Sequence, residues 1–349
     1  MKYLFYIAKS YSISIFKPLA VALTKTGNEY RFYTSEKVRK AFPKEWDSRL
    51  IIKSISEAKK YKPDFVLSPG NFVDFRIPGI KVQLFHGLGV EKEAHFKIRH
   101  FFDVYLTSGP FVTERFNRLK KENKNYFEVL ETGWVKMDYI LNYNSNNLKE
   151  KYNIPQGKKV VLYAPTFSKK MESASKALSK MDSLVKDDEI WLLKFHELMD
   201  IDVINSFKAI NNENLRIIEE NDITPLLYIS DIMISDTSSV IYEFMALDKP
   251  VITLNTMSRK DKGIDVDTPE EIRGAIDSLK ANPLLLKERI KRNMSEVNPY
   301  LDGRICYNVI EKLAELKEKE SFPRKSKPLN LFRKIQIMYH SNFRKGYLR

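Results

Sequence analysis

The chain of 349 residues is poor in cysteine and histidine, with one cysteine, Cys306, and five histidines. A single cysteine cannot form an internal disulfide bond or supply a cysteine-rich metal cage, and it favours a reducing compartment. No apolar stretch approaches the ~20 residues that a membrane-spanning helix needs. We therefore expect neither a disulfide-stapled fold nor a membrane-spanning segment.

The first residues, "MKYLFYIAKSYSISIFKPLAVAL", resemble a signal peptide only faintly. Lys9, Lys17 and Pro18 interrupt the apolar pattern, and the stretch lacks a small-residue cleavage site. We predict a strand, a loop and a helix here rather than a cleaved leader.

Acidic residues are in deficit, because 45 Asp and Glu stand against 59 Lys and Arg and give a formal net charge of +14. Such an excess favours a polyanionic partner, either nucleic acid, an anionic membrane surface or a phosphate-rich substrate. The sequence has no zinc-finger, ribonucleoprotein or helix-turn-helix signature, which disfavours nucleic acid. With 43% hydrophobic residues, the chain can bury sizeable cores.

Short apolar runs alternate with helical patterns along the chain. The predicted strands are KYLFYIA, YRFYT, DFVLS, IKVQLF, DVYLTS, YFEVLE, KVVLYA, EIWLLKF, NLRIIE, DIMIS and PVITLN, with helices that include 49–61, 110–122, 237–247 and 269–280. This alternation is typical of parallel sheets with crossover helices. We predict an α/β protein with two Rossmann-like domains facing a cleft, at 1–142 and 143–320, followed by a tail at 321–349. The last helix before the tail can pack back on the first domain.

Ligands of open parallel sheets bind beyond the carboxyl ends of the strands, so residues directly after strands are site candidates. His86 follows IKVQLF, and Gly87 and Gly89 allow a tight turn. Its imidazole could take a proton from a hydroxyl; the alternative is a histidine satisfied at a strand end. His95 and His100 lie among basic residues of a predicted helix, and we expect them at the surface.

His196 repeats this arrangement after EIWLLKF, with Lys194 two residues earlier. Two strand-end histidines, one in each predicted domain, form a candidate catalytic pair. A metal pair is the competing interpretation. Because there is neither His-x-x-x-His spacing nor a nearby acidic set, no metal site is predicted.

The segment "DIMISDTSSVIYEFMALDKPVITLN" passes from a buried strand into a helix after Asp236. Thr237, Ser238 and Ser239 suit helix capping, and such a helix start also attracts phosphate, so the two interpretations are compatible. Glu243 on the helix could bind the vicinal hydroxyls of a ribose; the alternative is a solvated helix residue.

Two further segments supply polar groups. "VVLYAPTFSKK" offers the Thr166 hydroxyl and the charges of Lys169 and Lys170 after another strand. "DGR" places Arg304 at a helix start, where its guanidinium could clamp a phosphate oxygen.

The motifs FHGLG, TGWVKMD, LYAPTF, KFHE, ISDTSSVIYEFMALDKPVI and DGR occur in the order found in the CDP-glycerol glycerophosphotransferase family. The chain resembles this family, whose members prime and polymerise teichoic acids and related phosphate-linked capsules, from about 83 to 304. The resemblance implies a glycosyltransferase-B type architecture. It also implies a CDP-activated donor in the second half and an acceptor approaching from the first.

The resemblance also implies roles for particular residues. His86 matches the general base, His196 the second catalytic histidine, Ser238 and Ser239 the diphosphate-binding hydroxyls, and Arg304 the late basic residue. Gly133, Lys136 and Asp138 fit the family's Gly-aromatic-x-basic-x-Asp pattern. With the candidates above, the predicted donor-binding set is Thr166, Asp236, Thr237, Ser238, Ser239, Glu243 and Arg304, and the predicted acceptor or phosphate set is Gly87, Lys136, Lys169 and Lys194.

We therefore expect transfer of glycerol phosphate or a similar polyol phosphate from a CDP-alcohol to a hydroxyl of a lipid-linked glycan or polymer, with release of CMP. No cofactor is required, and a divalent cation is an option. The main alternative is a sugar transferase of the same architecture that uses a nucleotide sugar. A nucleotide-sugar epimerase is disfavoured because its Gly-rich phosphate loop is missing.

The tail at 321–349 carries eight cations and no acid. Its apolar residues Leu331, Phe332, Ile335, Met338 and Tyr339 fall on one helical face, and Ile337 does not. A basic amphipathic helix suits an anionic membrane surface, so we expect a cytoplasmic protein held peripherally at the inner face of the cell membrane. The alternative is a solvated tail.

Overall fold

The computed structural model describes residues 1–40, 42–71, 73–319 and 327–339. The strands are β1 (Lys2–Ile7), β2 (Glu29–Thr34), β3 (Ile51–Ile52), β4 (Phe65–Ser68), β5 (Ile80–Gln83), β6 (Val104–Thr107), β7 (Glu128–Glu131), β8 (Lys159–Tyr163), β9 (Glu189–Leu193), β10 (Leu215–Ile217), β11 (Ile232–Ser235), β12 (Val251–Leu254) and β13 (Ile264–Val266). The helices are α1 (Ser12–Lys25), α2 (Glu36–Lys40), α3 (Ile55–Tyr61), α4 (Pro110–Glu122), α5 (Lys136–Leu141), α6 (Leu148–Lys151), α7 (Ala174–Ala177), α8 (Met181–Leu184), α9 (Ile201–Lys208), α10 (Thr224–Ile229), α11 (Val240–Met245), α12 (Glu271–Ala281), α13 (Lys287–Val297), α14 (Ile305–Glu318) and α15 (Leu331–Met338).

Two parallel sheets carry the fold. Within the described ranges, one sheet has seven strands in the order β3-β2-β1-β4-β5-β6-β7, and the other has six in the order β10-β9-β8-β11-β12-β13. Both orders reverse direction beside the first strand of the sheet, which is the doubly wound Rossmann pattern. The predicted α/β class with two Rossmann-like sheets is confirmed.

The central strands read as continuous apolar runs because helices cover both faces of such sheets. Every residue of β8 after Lys159 and every residue of β9 is buried. Trp191 in β9 is the largest fully buried side chain. Its indole nitrogen donates to Glu189, whose carboxylate also accepts from Arg273. The buried acid is therefore satisfied at the start of the strand.

The chain forms two compact units. The first comprises 1–88, 92–139 and 297 onward, and the second comprises 89–91 and 140–296. The sequence placed a domain boundary between 142 and 143, whereas the contact pattern changes between Tyr139 and Ile140. The domain assignment stays a prediction.

Two short strands, β3 and β13, were not predicted from the sequence. The predicted helix at 49–61 is wrong over its first residues, because Ile51–Ile52 pair with β2 and the helix begins at Ile55. Ser54 caps that helix through the Glu57 amide, and the Glu57 carboxylate bonds the Ser54 hydroxyl in return. The three-residue edge strand β13 was also missed.

Candidate functional site

His86 lies just beyond β5, at a turn with unusual backbone geometry. The preceding Phe85 has a φ of 60°, a left-handed conformation that is rare for a bulky side chain and typical of functional sites. The Nδ1 atom of His86 lies 3.2 Å from the carbonyl oxygen of Pro69. A carbonyl only accepts, so Nδ1 carries the proton and Nε2 of the neutral ring carries a lone pair. This is the tautomer that a general base at Nε2 needs.

The surroundings of His86 favour its neutral form. Partial desolvation of the ring lowers the pKa of His86, and the positive charges of Lys92 and Arg99 lower it further. The Pro69 carbonyl acts in the opposite direction but does not reverse the shift. The side chain stays exposed, with the Tyr11 ring centroid 5.6 Å from its own. His86 therefore combines access to a substrate with readiness to accept a proton.

The glycines after His86 do not make the left-handed turn, since Phe85 is the residue with positive φ and Gly87 is not. Gly87 instead lines a small cavity of the first unit together with His95, Ser108 and Trp134. The Trp134 indole donates to the Phe85 carbonyl at 3.3 Å and so supports the strained residue. A phosphate contact at Gly87 stays a prediction.

The expectation that His95 and His100 are surface residues of a helix is wrong. His95 lies in a short 3-10 turn, and its ring stacks on Phe85 with centroids 4.3 Å apart. Burial lowers the pKa of His95 to about 3, so this ring remains neutral. His100 lies outside any helix and contacts the Tyr126 hydroxyl through Nδ1 at 2.6 Å.

His196 follows β9 and has the opposite arrangement of ring nitrogens. Its Nδ1 accepts a hydrogen bond from the Leu198 amide at 3.1 Å, so the proton of the neutral ring lies on Nε2. The Phe167 ring stacks on the imidazole with centroids 4.3 Å apart and 30° between the planes. His196 is exposed and offers an N–H donor where His86 offers an acceptor.

The lysines near His196 have different surroundings. Lys194 is partly buried and donates to the Phe195 carbonyl, and desolvation lowers the pKa of its ammonium. Lys169 is exposed and pairs with Asp200 at 3.3 Å. Both cations belong to the second unit, and their roles toward phosphate or acceptor stay predictions.

Asp236, directly after β11, uses its carboxylate for hydrogen bonds within the protein. The side chain is fully buried and accepts hydrogen bonds from the Thr166 amide, the Ser173 amide and the Ser173 hydroxyl, at 2.9–3.1 Å. The oxygens of Asp236 therefore hold the loop after β8, and its predicted contact with the nucleotide donor stays a prediction.

The hydroxyls after Asp236 do not cap α11 as expected. Thr237 is buried, and its hydroxyl accepts from the Met257 amide at 3.1 Å. Ser239 occupies the N-cap position without a capping hydrogen bond from its side chain. Ser238 and Ser239 are only partly buried, beyond the carboxyl end of β11. Their contact with a diphosphate stays a prediction.

Glu243 is not the solvated helix residue that the sequence allowed. It is 5% exposed in the first turn of α11. Its contact with a ribose stays a prediction.

Arg304 of the DGR motif lies in the first unit, as do Lys136 and Asp138 of the TGWVKMD motif. Asp138 accepts from the Ile305 and Cys306 amides at 2.9 and 2.7 Å and so fixes the start of α14. Arg304 stands exposed at that start, with its guanidinium carbon 5.7 Å from the Tyr307 ring centroid. Lys136 lies 5.6 Å from the Trp134 ring centroid. The motif therefore presents exposed positive charge on a fixed helix start.

A buried acid that the sequence analysis missed lies five residues after His86. Glu91 belongs to the second unit, where its carboxylate accepts from Tyr242, Ser258 and Lys262 at 2.7–2.9 Å. The Lys262 side chain is completely buried. The local sequence gives only a hint, an acid in a basic stretch, because its partners lie more than 150 residues away.

The described part of the chain contains neither a candidate metal cluster nor a candidate membrane span. No group of three or more His, Cys, Asp or Glu side chains is placed to hold a metal ion there. No helix in the same ranges combines the length and apolarity needed to cross a bilayer.

Comparisons with known proteins agree with these features. A sequence model of the family described as CDP-glycerol:poly(glycerophosphate) glycerophosphotransferase matches residues 87–314. This range begins directly after His86. The teichoic acid glycerol-phosphate transferase of Staphylococcus aureus is 24% identical over 223 residues, 59% of this chain and 55% of that protein. The teichoic acid glycerol-phosphate primase of Bacillus spizizenii is 37% identical over 114 residues, 31% of this chain and 28% of that protein. The chain thus spans about half or less of these relatives.

Solved structures show the shared fold. The wall teichoic acid polymerase TagF matches with a TM-score of 0.68 at 19% identity, over 91% of this chain and 90% of that one. A putative UDP-N-acetylglucosamine 2-epimerase from Listeria monocytogenes matches with a TM-score of 0.65 at 16% identity, over 94% and 99%. Since the family model covers more than half of the sequence, the chain belongs to the CDP-glycerol:poly(glycerophosphate) glycerophosphotransferase family.

Proposed function

We propose that the protein transfers a polyol phosphate from a CDP-activated donor to a hydroxyl of a lipid-linked glycan or polymer. The acceptor oxygen bonds to the phosphorus that carries the polyol, the bond from that phosphorus to the bridging oxygen breaks, and CMP leaves. The acceptor proton goes to Nε2 of His86. The observation that carries this proposal is the Pro69 hydrogen bond, which leaves the Nε2 lone pair on a ring with a lowered pKa.

On the donor side, we assign the loops after β8 and β11, which flank the point where the strand order of the second sheet reverses. Thr166, Ser238 and Ser239 bind the diphosphate in this proposal, and Glu243 binds the ribose. The Nε2–H group of His196 donates to an oxygen on which negative charge grows. Such a preorganised donor is typically worth about 3–4 kcal/mol of barrier lowering.

Each unit carries cations for the proposed reaction. Lys136 and Arg304 supply them in the first unit and Lys169 and Lys194 in the second, and phosphoryl transfer depends mainly on position and positive field. Gly87 adds room for the acceptor beside the base. The proposal requires no organic cofactor and leaves a divalent cation as a variable of the assay.

A donor panel tests this proposal. The full-length protein is incubated with a lipid-linked acceptor or a short soluble analogue and with CDP-glycerol, CDP-ribitol, UDP-sugars or GDP-sugars, each with Mg²⁺ or with EDTA. Chromatography then quantifies the released nucleotide. We expect CMP release from a CDP-alcohol and coupled growth of the acceptor. Release of UDP or GDP with sugar transfer would instead establish the sugar transferase.

We further propose that α15 attaches the protein to the inner face of the cell membrane. Phe332 and Ile335 on this helix are 81% and 62% exposed, whereas Ile337 is 8% exposed. The Asn330 side chain donates to the Arg99 carbonyl, and Lys334 lies 5.3 Å from the Phe75 ring centroid. The helix is thus held on the first unit by one face while apolar side chains project from another. A lipid-linked acceptor makes a membrane surface a suitable occupant.

A further inference from the structure

The loop after β8 carries Phe167, an aromatic residue to which the sequence motifs gave no role. Phe167 stacks on His196, and its side chain is 37% exposed, so the ring has not simply been buried in the core. We propose that Phe167 is a positioning residue for His196, and that Asp236 acts through the loop that carries Phe167. This inference rests on the proposed function, in which His196 donates to the phosphoryl group.

Two contacts fix the imidazole in different ways. The Leu198 amide bonds Nδ1 and so defines the tautomer. That bond alone leaves rotation of the ring plane weakly restrained, because the terminal torsion of histidine is broad. The Phe167 ring, inclined 30° to the imidazole, blocks one face and restricts that rotation. Both contacts therefore restrict the direction of the Nε2–H bond.

The loop that carries Phe167 is held in place by the buried carboxylate of Asp236. The Asp236 carboxylate bonds the amides of Thr166 and Ser173, on either side of Phe167. The Ser235 hydroxyl donates to the Ala164 carbonyl at 2.6 Å. Charge-assisted bonds to a fully buried carboxylate are costly to break, so the end of β11 holds both ends of the loop.

A third connection joins the same loop to the chain that follows His196. Lys169 pairs with Asp200, and the Asp200 side chain caps α9 through the Asp202 amide. The loop therefore contacts the His196 segment at the ring and again four residues later. The loop and the segment after His196 are thus joined at two places.

The test observes the His196 ring without substrate. Histidine labelled with ¹⁵N gives two-bond correlations that report the tautomer, and loss of one signal in His196→Gln assigns the ring among five histidines. The wild-type protein should show a protonated Nε2 and an unprotonated Nδ1. Phe167→Leu should broaden or shift these signals through exchange, and Phe167→Tyr should restore them. Asp236→Asn should reproduce the Phe167→Leu signals with a lower melting temperature.

Kinetics supply the second readout. Phe167→Leu should lower kcat for CMP release on the order of 10-fold with little change in KM for the donor, since misorientation affects the transition state more than ground-state binding. Phe111→Leu is the matched control, because Phe111 is 38% exposed and lies in the first unit. That variant should leave kcat and the ring signals unchanged.

Unaltered His196 signals in Phe167→Leu would overturn the inference, whether or not kcat falls. Altered signals with wild-type kcat would also overturn it, because the ring orientation would then not matter for transfer. If the wild-type protein transfers nothing from any CDP donor, the proposed function fails, while the ring signals still decide whether Phe167 orients His196.

Discussion

At the scale of single residues, two histidines after two strands differ in which ring nitrogen carries the proton. The Pro69 carbonyl places it on Nδ1 of His86, and the Leu198 amide places it on Nε2 of His196. The same side chain is thereby made an acceptor in one unit and a donor in the other, as base and electrostatic donor chemistry require.

The pH dependence of transfer should report the lowered pKa of His86. The base works only when neutral, so kcat/KM for CMP release should fall as the pH drops through this pKa, with a midpoint below the ordinary histidine value of about 6.5. Lys92→Met removes a positive charge that lowers the pKa of His86, so the midpoint should move upward. A midpoint above 6.5 in the wild-type protein, or one unmoved in Lys92→Met, would contradict this assignment.

At the scale of elements, periodicity predicted the strands that helices cover on both faces, because those strands are continuous apolar runs. It missed β3 and β13, since two or three residues at a sheet edge carry too little pattern. It also found the positions after strands where polar groups gather. It could not predict that Asp236 faces inward, because its partner Thr166 lies 70 residues earlier in the chain.

The buried pair of Glu91 and Lys262 should be important for the stability of the second unit. Lys262→Met leaves the Glu91 carboxylate in a site where it is only 6% exposed, and a buried charge without its partner typically costs about 3–5 kcal/mol. We expect urea denaturation to show a fall of this size in the free energy of unfolding. Glu91→Gln combined with Lys262→Met should recover part of it.

Lys208→Met provides the matched control, because the Lys208 side chain is 48% exposed and pairs at 2.7 Å with Glu219, which is 76% exposed. Surface pairs are worth about 0–1 kcal/mol. Equal effects of the Lys208 and Lys262 substitutions on the free energy of unfolding would contradict a special role of the buried pair.

At the scale of the whole molecule, the net charge of +14 suits both a phosphate-rich substrate and an anionic surface. The predicted apolar face at 331–339 is exposed, while Ile337 is buried as its separate position on the helical wheel suggested. Residues 320–326 and 340–349, which hold most of the predicted basic tail, lie outside the described residues.

Membrane attachment should depend on this face. Phe332→Ser with Ile335→Ser should abolish sedimentation of the protein with vesicles rich in phosphatidylglycerol, whereas wild-type protein should sediment with them and only weakly with phosphatidylcholine vesicles. Leu284→Ser with Leu285→Ser is the matched control, since these leucines are 68% and 47% exposed elsewhere on the protein. Equal loss of sedimentation with vesicles in both double variants, or no such loss in either, would count against attachment through α15.

The most direct measurement is the single-turnover rate of CMP release from a CDP-alcohol in the presence of acceptor, for the wild-type protein, His86→Gln and His100→Gln. His100 is the matched histidine, because its ring is engaged by Tyr126. We expect His86→Gln to lose about 10²–10⁴-fold in rate, whereas His100→Gln should keep the wild-type value. Wild-type CMP release by His86→Gln would contradict the role of His86 as the base.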